Sequence, residues 1–350
     1  MLESLWFWLA AITIAVYVAA DGFDFGAGMM HLMVAKTDVE RRTVLNAIGP
    51  FWDGNEVWLL ATGGVLFLAF PKVLAAGLSG FYLPIMLVIW ALILRGISIE
   101  FRSHHDNLLW RAFFDTLFAA SSFALPLLLG AALGNLVRGL PLDDSGYLHM
   151  PLFTNFLPLH PAGVLDIYTL AVGLFAVLAL AAHGATFLAW KTEGTVEQRS
   201  RTFAARLWVL VTIALLPITW ATARVNADVF SNFAATPLAW LLAAVWITGL
   251  VGAPWFLRRQ QAWAAFACST CFLLGLLAAT AACVFPVMLR SQLDRADHLT
   301  AFNAAASTYS LTVGLWWWGL GVPLAIVYVV LLMRFHRGKV RIDGGSGSGY

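Results

Sequence analysis

Charge is what this sequence has least of. Asp, Glu, Lys and Arg make up 11% of 350 residues and 61% are hydrophobic, where a soluble domain carries about 25% charged residues. That excludes an ordinary soluble globular chain, and a formal net charge of +2 gives no reason to expect a nucleic-acid partner. Cysteine is scarce as well. Cys268, Cys271 and Cys283 all lie in one apolar run, and an odd number so placed excludes a disulfide framework. Cys268-Ser-Thr-Cys271 has C-x-x-C spacing, but inside a lipid-depth helix it reads as two small buried hydrophobes. Histidine is sparse: of eight, His183 alone lies deep in an apolar run and His31 near the end of another. A haem held between helices needs facing ligands on two of them, so ligation of haem by this chain is not expected. Nor does a basic region precede the first apolar run, which starts at Leu5; it reads as a retained span and not as a leader.

What is present is uncharged length. A membrane-spanning helix takes about 20 apolar residues, and nine candidates meet that: Leu5 to Met33, Phe51 to Phe70, Val73 to Leu94, Phe113 to Val137, Gly163 to Trp190, Leu207 to Ala223, Phe233 to Leu257, Ala262 to Leu289 and Tyr309 to Met333. The runs are continuous, not alternating, which favours helices over a barrel. The fold expected is an all-α integral membrane protein, a single polytopic domain over residues 1–342 with a flexible Gly/Ser tail over 343–350. Under this count 16 of the 21 Lys and Arg residues fall on one side and 5 on the other, so the positive-inside rule places the N-terminus outside and the C-terminus in the cytoplasm. Arg138 to Pro161, with Asp143 and Asp144, and Arg290 to Thr308, with Asp294, Arg295, Asp297 and His298, are too short for domains and read as ordered loops.

Ionisable residues at membrane depth are costly, and for that reason they are the functional candidates. Asp21 and Asp24 follow an apolar stretch from Leu5 to Ala20, which as helix reaches only about 24 Å of a core about 30 Å thick. Three residues apart, they share a helix face. Gly22 and Gly26 form a small-xxx-small pattern that admits a neighbouring helix, so the acids are expected in a protein interface, either pairing with a cation such as Arg95 or His31 or handling protons. Phe51-Trp-Asp53-Gly-Asn-Glu56-Val-Trp58 opens the second run, and Val57 to Phe70 covers only about 21 Å as helix. Asp53 and Glu56 therefore belong at the cytoplasmic edge of the membrane. One reading makes them the N-cap and N3 residues of a capping box behind Pro50; another makes them a proton entrance, since desolvated carboxylates suit proton exchange near neutrality. Arg95 and Glu100 close the third span as a supporting ionic pair.

These residues, taken in order, resemble subunit II of the cytochrome bd-type quinol oxidases, including their cyanide-insensitive branch. The resemblance is carried by Asp21-Gly-Phe-Asp24-Phe-Gly-Ala-Gly28, by Glu40 to Trp58 with its Phe-Trp-Asp53-Gly-Asn-Glu56 core, by Ala61-Thr-Gly-Gly-Val-Leu-Phe-Leu-Ala-Phe-Pro71, and by Ser79-Gly-Phe-Tyr-Leu-Pro84. Leu94-Arg-Gly-Ile-Ser-Ile-Glu-Phe-Arg102, Gly134-Asn-Leu-Val-Arg-Gly139 with Pro141, and His183 to Gly194 continue it, and Asn155-Phe156 and the later spans follow the same layout.

The resemblance implies a complex in the bacterial cytoplasmic membrane in which a larger subunit I carries two haems b and a haem d, or a third haem b. That partner would oxidise quinol near the outer face and reduce dioxygen to water. It implies two four-helix bundles and a peripheral ninth helix in each subunit, a structural quinone in some members, and small accessory subunits in others. It matches Asp53 to the aspartate that subunit II contributes to a cytoplasmic proton route, with Asp21 and Asp24 extending or bracing it. Glu56 stands where other members can have Gln. The reading set against this one is a proton-coupled transporter, suggested by acids at membrane depth and by Pro-broken spans such as that of Pro217.

Overall fold

The first helix, α1 (Leu2–Val34), is the axis of the molecule. Its first half buries a face; from Asp21 to His31 every residue is buried, because α3, α6, α7 and α11 surround it there. The computed structural model describes residues 1–143, 146–148, 150–153 and 163–340. Asp144, Asn155, Phe156, Pro161 and the tail from 343 lie outside the described residues.

After α1 come α2 (Asp38–Ile48), α3 (Trp52–Ala69), α4 (Pro71–Gly80), α5 (Tyr82–Phe101) and α6 (Leu108–Arg138). They are followed by α7 (Ile167–Lys191), α8 (Gly194–Val225), α9 (Asp228–Ala235), α10 (Pro237–Arg258), α11 (Ala262–Val284) and α12 (Thr308–Phe335). Local chemistry sets many of the starts. Thr37 and Glu40 form a capping box for α2, Asp166 and Thr169 one for α7, and Asn107 and Ser307 cap α6 and α12. Pro71 and Pro237 occupy first-turn positions, where no amide donor is needed.

Eight helices among the described residues are long and apolar enough to cross a membrane: α1, α5 with the 3₁₀ turn after it, α6, α7, α8, α10, α11 and α12. Nine were expected, and the difference is α3. It has 18 residues, close to the expected run of Phe51 to Phe70, but Asp53, Asn55 and Glu56 crowd its first two turns and lower its hydropathy. The expected third span, Val73 to Leu94, is also divided: α4 ends at Gly80, Phe81 leaves helical geometry, and α5 starts afresh. The run Ala262 to Leu289 stops being helix at Val284, because Pro286 can supply no amide to continue it. Beyond it β1 (Val287–Leu289) pairs antiparallel with β2 (Leu299–Thr300), so the loop from Arg290 to Thr308 is ordered.

The glycine pattern of α1 does what its spacing suggests. A Cβ on Gly26 would lie 2.5 Å from the Cα of Gly184, and one on Gly184 would lie 2.3 Å from the Cα of Gly26. The backbones of α1 and α7 touch there, and no side chain fits at either position. By contrast α12 is peripheral, with Leu311 and Gly314 its buried residues. It is pinned at its ends: the Trp6 indole donates to Leu311 O over 3.1 Å, and the Lys191 ammonium donates to His336 O just past the helix.

Candidate functional site

The Arg-rich end of the bundle gathers the C-terminal ends of α1, α5, α7 and α12 with the N-terminal ends of α3, α6 and α8, and its buried charge falls into two clusters. The first is built on α1, α3 and α5. Arg95, brought inward by α5, donates through Nη1 to Asp21 Oδ1 at 2.6 Å and through Nη2 to Glu56 Oε1. Asp21 and Arg95 are fully buried, and the Glu56 side chain is 28% exposed. The Arg95 guanidinium also lies over the Phe25 ring, 4.6 Å from its centroid. Asp24 has a different partner: the Asn55 amide donates to its Oδ2 at 2.7 Å and to Ala20 O at 3.2 Å. Tyr17, one turn before Asp21, is buried on the same stripe.

Asp53 does not join them. It is exposed on α3, on a face that continues through the exposed Val57, Leu60 and Phe67. Nor does the capping box form. The helix begins at Trp52 with Phe51 as N-cap and no side-chain cap, so Asp53 and Glu56 sit too far into the helix, and the Glu56 carboxylate is drawn to Arg95. The Arg95–Glu100 pair is likewise replaced. Five residues along a helix turn a side chain about 140° around the axis, which leaves Glu100 exposed while Arg95 points into the bundle.

The second cluster was not anticipated. Asp115 of α6 is buried and accepts at Oδ1 from His31 Nε2 and Arg102 Nε, each 2.6 Å away, and at Oδ2 from Arg41 Nη1 at 2.8 Å. Arg102 continues to Asp38, which Arg111 also reaches. The span was expected to begin at Phe113; α6 begins at Leu108, five residues earlier, so Asp115 lies two turns into the helix and its carboxylate within the bundle. The depth argument that singled out Asp21 would have found it had the helix start been placed correctly.

His183 is spent structurally. Its Nδ1 lies 2.7 Å from Ser269 Oγ and its Nε2 3.0 Å from Ala19 O, with the ring stacked on Phe266. Both ring nitrogens have partners, so the residue does not fit as an axial ligand to a haem iron. Cys268 and Cys271 are free thiols. Among the described residues no three His, Cys, Asp or Glu side chains converge as a metal site would require.

An apolar cavity of about 350 Å³ opens between α1, α4, α6 and α11, lined among others by Phe7, Leu74, Phe81, Leu133 and Thr280. Thr280 gives its hydroxyl proton to Leu276 O, which leaves the cavity wall apolar and poor in hydrogen-bond donors.

Residues 2–336 match the family described as cytochrome bd terminal oxidase subunit II. The chain is 32% identical over 314 residues to cytochrome bd ubiquinol oxidase subunit 2 of Bacillus subtilis, covering 89% of each chain. It is 30% identical to cytochrome bd-I ubiquinol oxidase subunit 2 of Escherichia coli, covering 94% of this chain and 92% of that one. Its fold is similar to the bd oxidase structure from Geobacillus thermodenitrificans, with a TM-score of 0.73 and 19% identity over 95% of this chain and 98% of the other.

Proposed function

The chain belongs to the cytochrome bd terminal oxidase subunit II family, and on that premise we propose that it works as the subunit II of a membrane-bound quinol:oxygen oxidoreductase, bringing protons from the cytoplasm to the site where dioxygen becomes water. The observation that carries the proton role is the assembly of buried Asp21, Asp24 and Arg95 with the partly exposed Glu56, since ionisable groups at such depth are functional candidates. The names of the relatives support the quinol oxidase and count against the transporter. Quinol electrons reduce dioxygen; if quinol releases its protons outside and water formation draws them from inside, turnover separates charge without a pump.

In this reading the haems sit in the partner subunit I, where they supply the redox chemistry, and no residue of this chain is assigned to a haem iron. The partner would cover the exposed stripe of α3. An aspartate on an otherwise apolar surface is costly against lipid, and Asp53 heads just such a stripe with Val57, Leu60 and Phe67. Covered in this way, Asp53 becomes the mouth of a route between the two chains. The charge asymmetry of the loops supports a cytoplasmic position for that mouth and for the C-terminus, in a bacterial inner membrane. The layout of two four-helix bundles plus a peripheral helix is supported by the position of α12. If a structural quinone is bound, its tail suits the cavity at Phe7 and Phe81.

Asp53→Asn tests the route. In the purified two-subunit complex the substitution should leave assembly and the haem spectrum intact and slow quinol-driven oxygen uptake. Asp53→Ser should behave in the same way, because Asp53 caps no helix. Normal uptake in both would remove Asp53 from the mechanism.

A further inference from the structure

From Val229 to Leu293 the chain holds no Asp or Glu, and its cations there are Arg258, Arg259 and Arg290. The first two sit together in the turn between α10 and α11, both exposed. The turn is short and fixed. The amides of Arg259, Gln260 and Gln261 donate to Trp255 O, Leu257 O and Phe256 O at 3.2, 3.1 and 3.0 Å, and Gln260 takes a left-handed φ of 60°, strained for a residue with a Cβ. Trp263, in the first turn of α11, has its ring 6.0 Å from that of Trp190 near the end of α7, which puts the turn at the Arg-rich end of the bundle.

Many cations at that end have acidic partners. Arg41, Arg102, Arg111, Arg199, Arg201 and Lys339 each hold a carboxylate. Arg258 and Arg259 hold none among the described residues, and neither side chain donates to the carbonyls that close α10. The Arg259 guanidinium lies instead over the Trp255 ring, 4.1 Å from its centroid, a contact that holds the charge at the helix surface without neutralising it.

The surface next to the turn is apolar. Trp255, Val251 and Ile247 are exposed and recur every four residues, in one line down α10, and Trp263 is exposed at the head of α11. Tryptophan and arginine above a line of apolar side chains is the composition of a membrane–water boundary. Helices α10 and α11 pack chiefly on each other and on α1, α7, α8 and α9, whereas α3 packs on α1, α4 and α12. The turn therefore lies away from the α3 stripe assigned to the partner subunit and faces lipid.

We propose that the α10–α11 turn binds the headgroup of an anionic phospholipid, its phosphodiester held by the Arg258 and Arg259 guanidiniums and one acyl chain laid along Trp255, Val251 and Ile247. A guanidinium presents paired, planar donors that match phosphate oxygens, and the Trp255 ring orients that of Arg259 before the lipid arrives. The chain is what separates a lipid from free phosphate. Exposed guanidiniums hold a small anion weakly in water, and the apolar line adds affinity for a ligand that carries a tail.

Native mass spectrometry of the purified two-subunit complex, stripped of lipid in a neutral detergent and titrated with phosphatidylglycerol, tests this. The wild type should retain phosphatidylglycerol in preference to phosphatidylcholine. Arg258→Gln and Arg259→Gln should each weaken that retention about fivefold and the double variant about thirtyfold, the weight of one and of two cations at a membrane surface. Arg258→Lys combined with Arg259→Lys keeps both charges and should keep most of the retention. Arg337→Gln removes an exposed cation at the same end on the α12 side and should change nothing; an equal loss there would make the effect one of overall charge and overturn the site. So would a double variant that binds as the wild type does, or displacement of the lipid by inorganic phosphate at the same concentration, which would leave a site for small anions.

Discussion

Asp21 and Arg95 lie 2.6 Å apart with both side chains fully buried, on helices separated by more than seventy residues of chain. The partners of this pair are unequal. Arg95 also holds Glu56, whereas Asp21 has no other cation among the described residues. Arg95→Leu therefore leaves two acids without a counter-charge and should cost about 3–5 kcal/mol, the usual loss when one side of a buried pair is removed. Asp21→Asn leaves Arg95 with Glu56 and should cost less. Yield and thermal stability of the purified complex should rank wild type first, then Asp21→Asn, then Arg95→Leu; the reverse order of the two variants would mean that Glu56 does not hold the guanidinium.

Gly184→Ala should be more damaging than its single methyl suggests. The new Cβ would stand 2.3 Å from the Gly26 Cα, against backbone that cannot rotate aside, so α1 and α7 would have to separate. Overpacking of this kind costs about 1–3 kcal/mol where side chains can adjust, and here the adjustment falls on two helix backbones. Gly63→Ala is the control, since a Cβ there meets nothing within 4 Å. Equal melting temperatures for the two variants would contradict the close approach.

What could be read from the sequence followed from length and spacing. The spans, the Gly22 and Gly26 pattern and the inward direction of Asp21 and Asp24 all come from the 3.6-residue period and the cost of burying charge. What could not be read depended on where helices begin and on partners distant in sequence. Asp53 and Glu56 have capping-box spacing, but α3 starts at Trp52 and Glu56 finds a stronger partner in Arg95. Hydropathy carries no sign of the break at Phe81, where α4 gives way to α5. Asp115 was missed through a helix start set five residues late, and its partners His31, Arg41 and Arg102 come from three other segments.

Glu40 makes acid sensitivity predictable at the α2–α8 junction. Partial burial raises the energy of its carboxylate, but hydrogen bonds from the Thr195 hydroxyl, the Lys36 and Thr37 amides and the Arg199 guanidinium outweigh this and hold its pKa down to about 2, against an ordinary value of 4.5. A lowered folded-state value means that the stabilisation is fully present above 4.5 and is lost as the pH falls toward 2. Thermal melts of the complex across that window should show a stability loss that is smaller in Glu40→Gln, which cannot titrate. Parallel losses in the two proteins would assign the acid sensitivity to other groups.

Lys191 should control the attachment of α12. Its ammonium donates to His336 O and Gly338 O, lies over the Trp190 ring at 4.7 Å and the Phe51 ring at 5.3 Å, and is joined by a backbone bond from Val340 N to Lys191 O at 2.8 Å. The carbonyls at the C-terminal end of a helix carry partial negative charge, so a cation there stabilises the end as well as bridging it. Lys191→Met keeps the apolar stem against Phe51 and Trp190 and removes the charge. Because α12 buries little of its own surface, losing this tie should open its last turn: amide hydrogen exchange should quicken at residues 336–340 and leave the centre of α7 unchanged. Uniform quickening across both helices would point to general destabilisation, and no change at 336–340 would mean that the Val340 backbone bond and the Lys339–Glu197 pair hold the segment without the Lys191 ammonium.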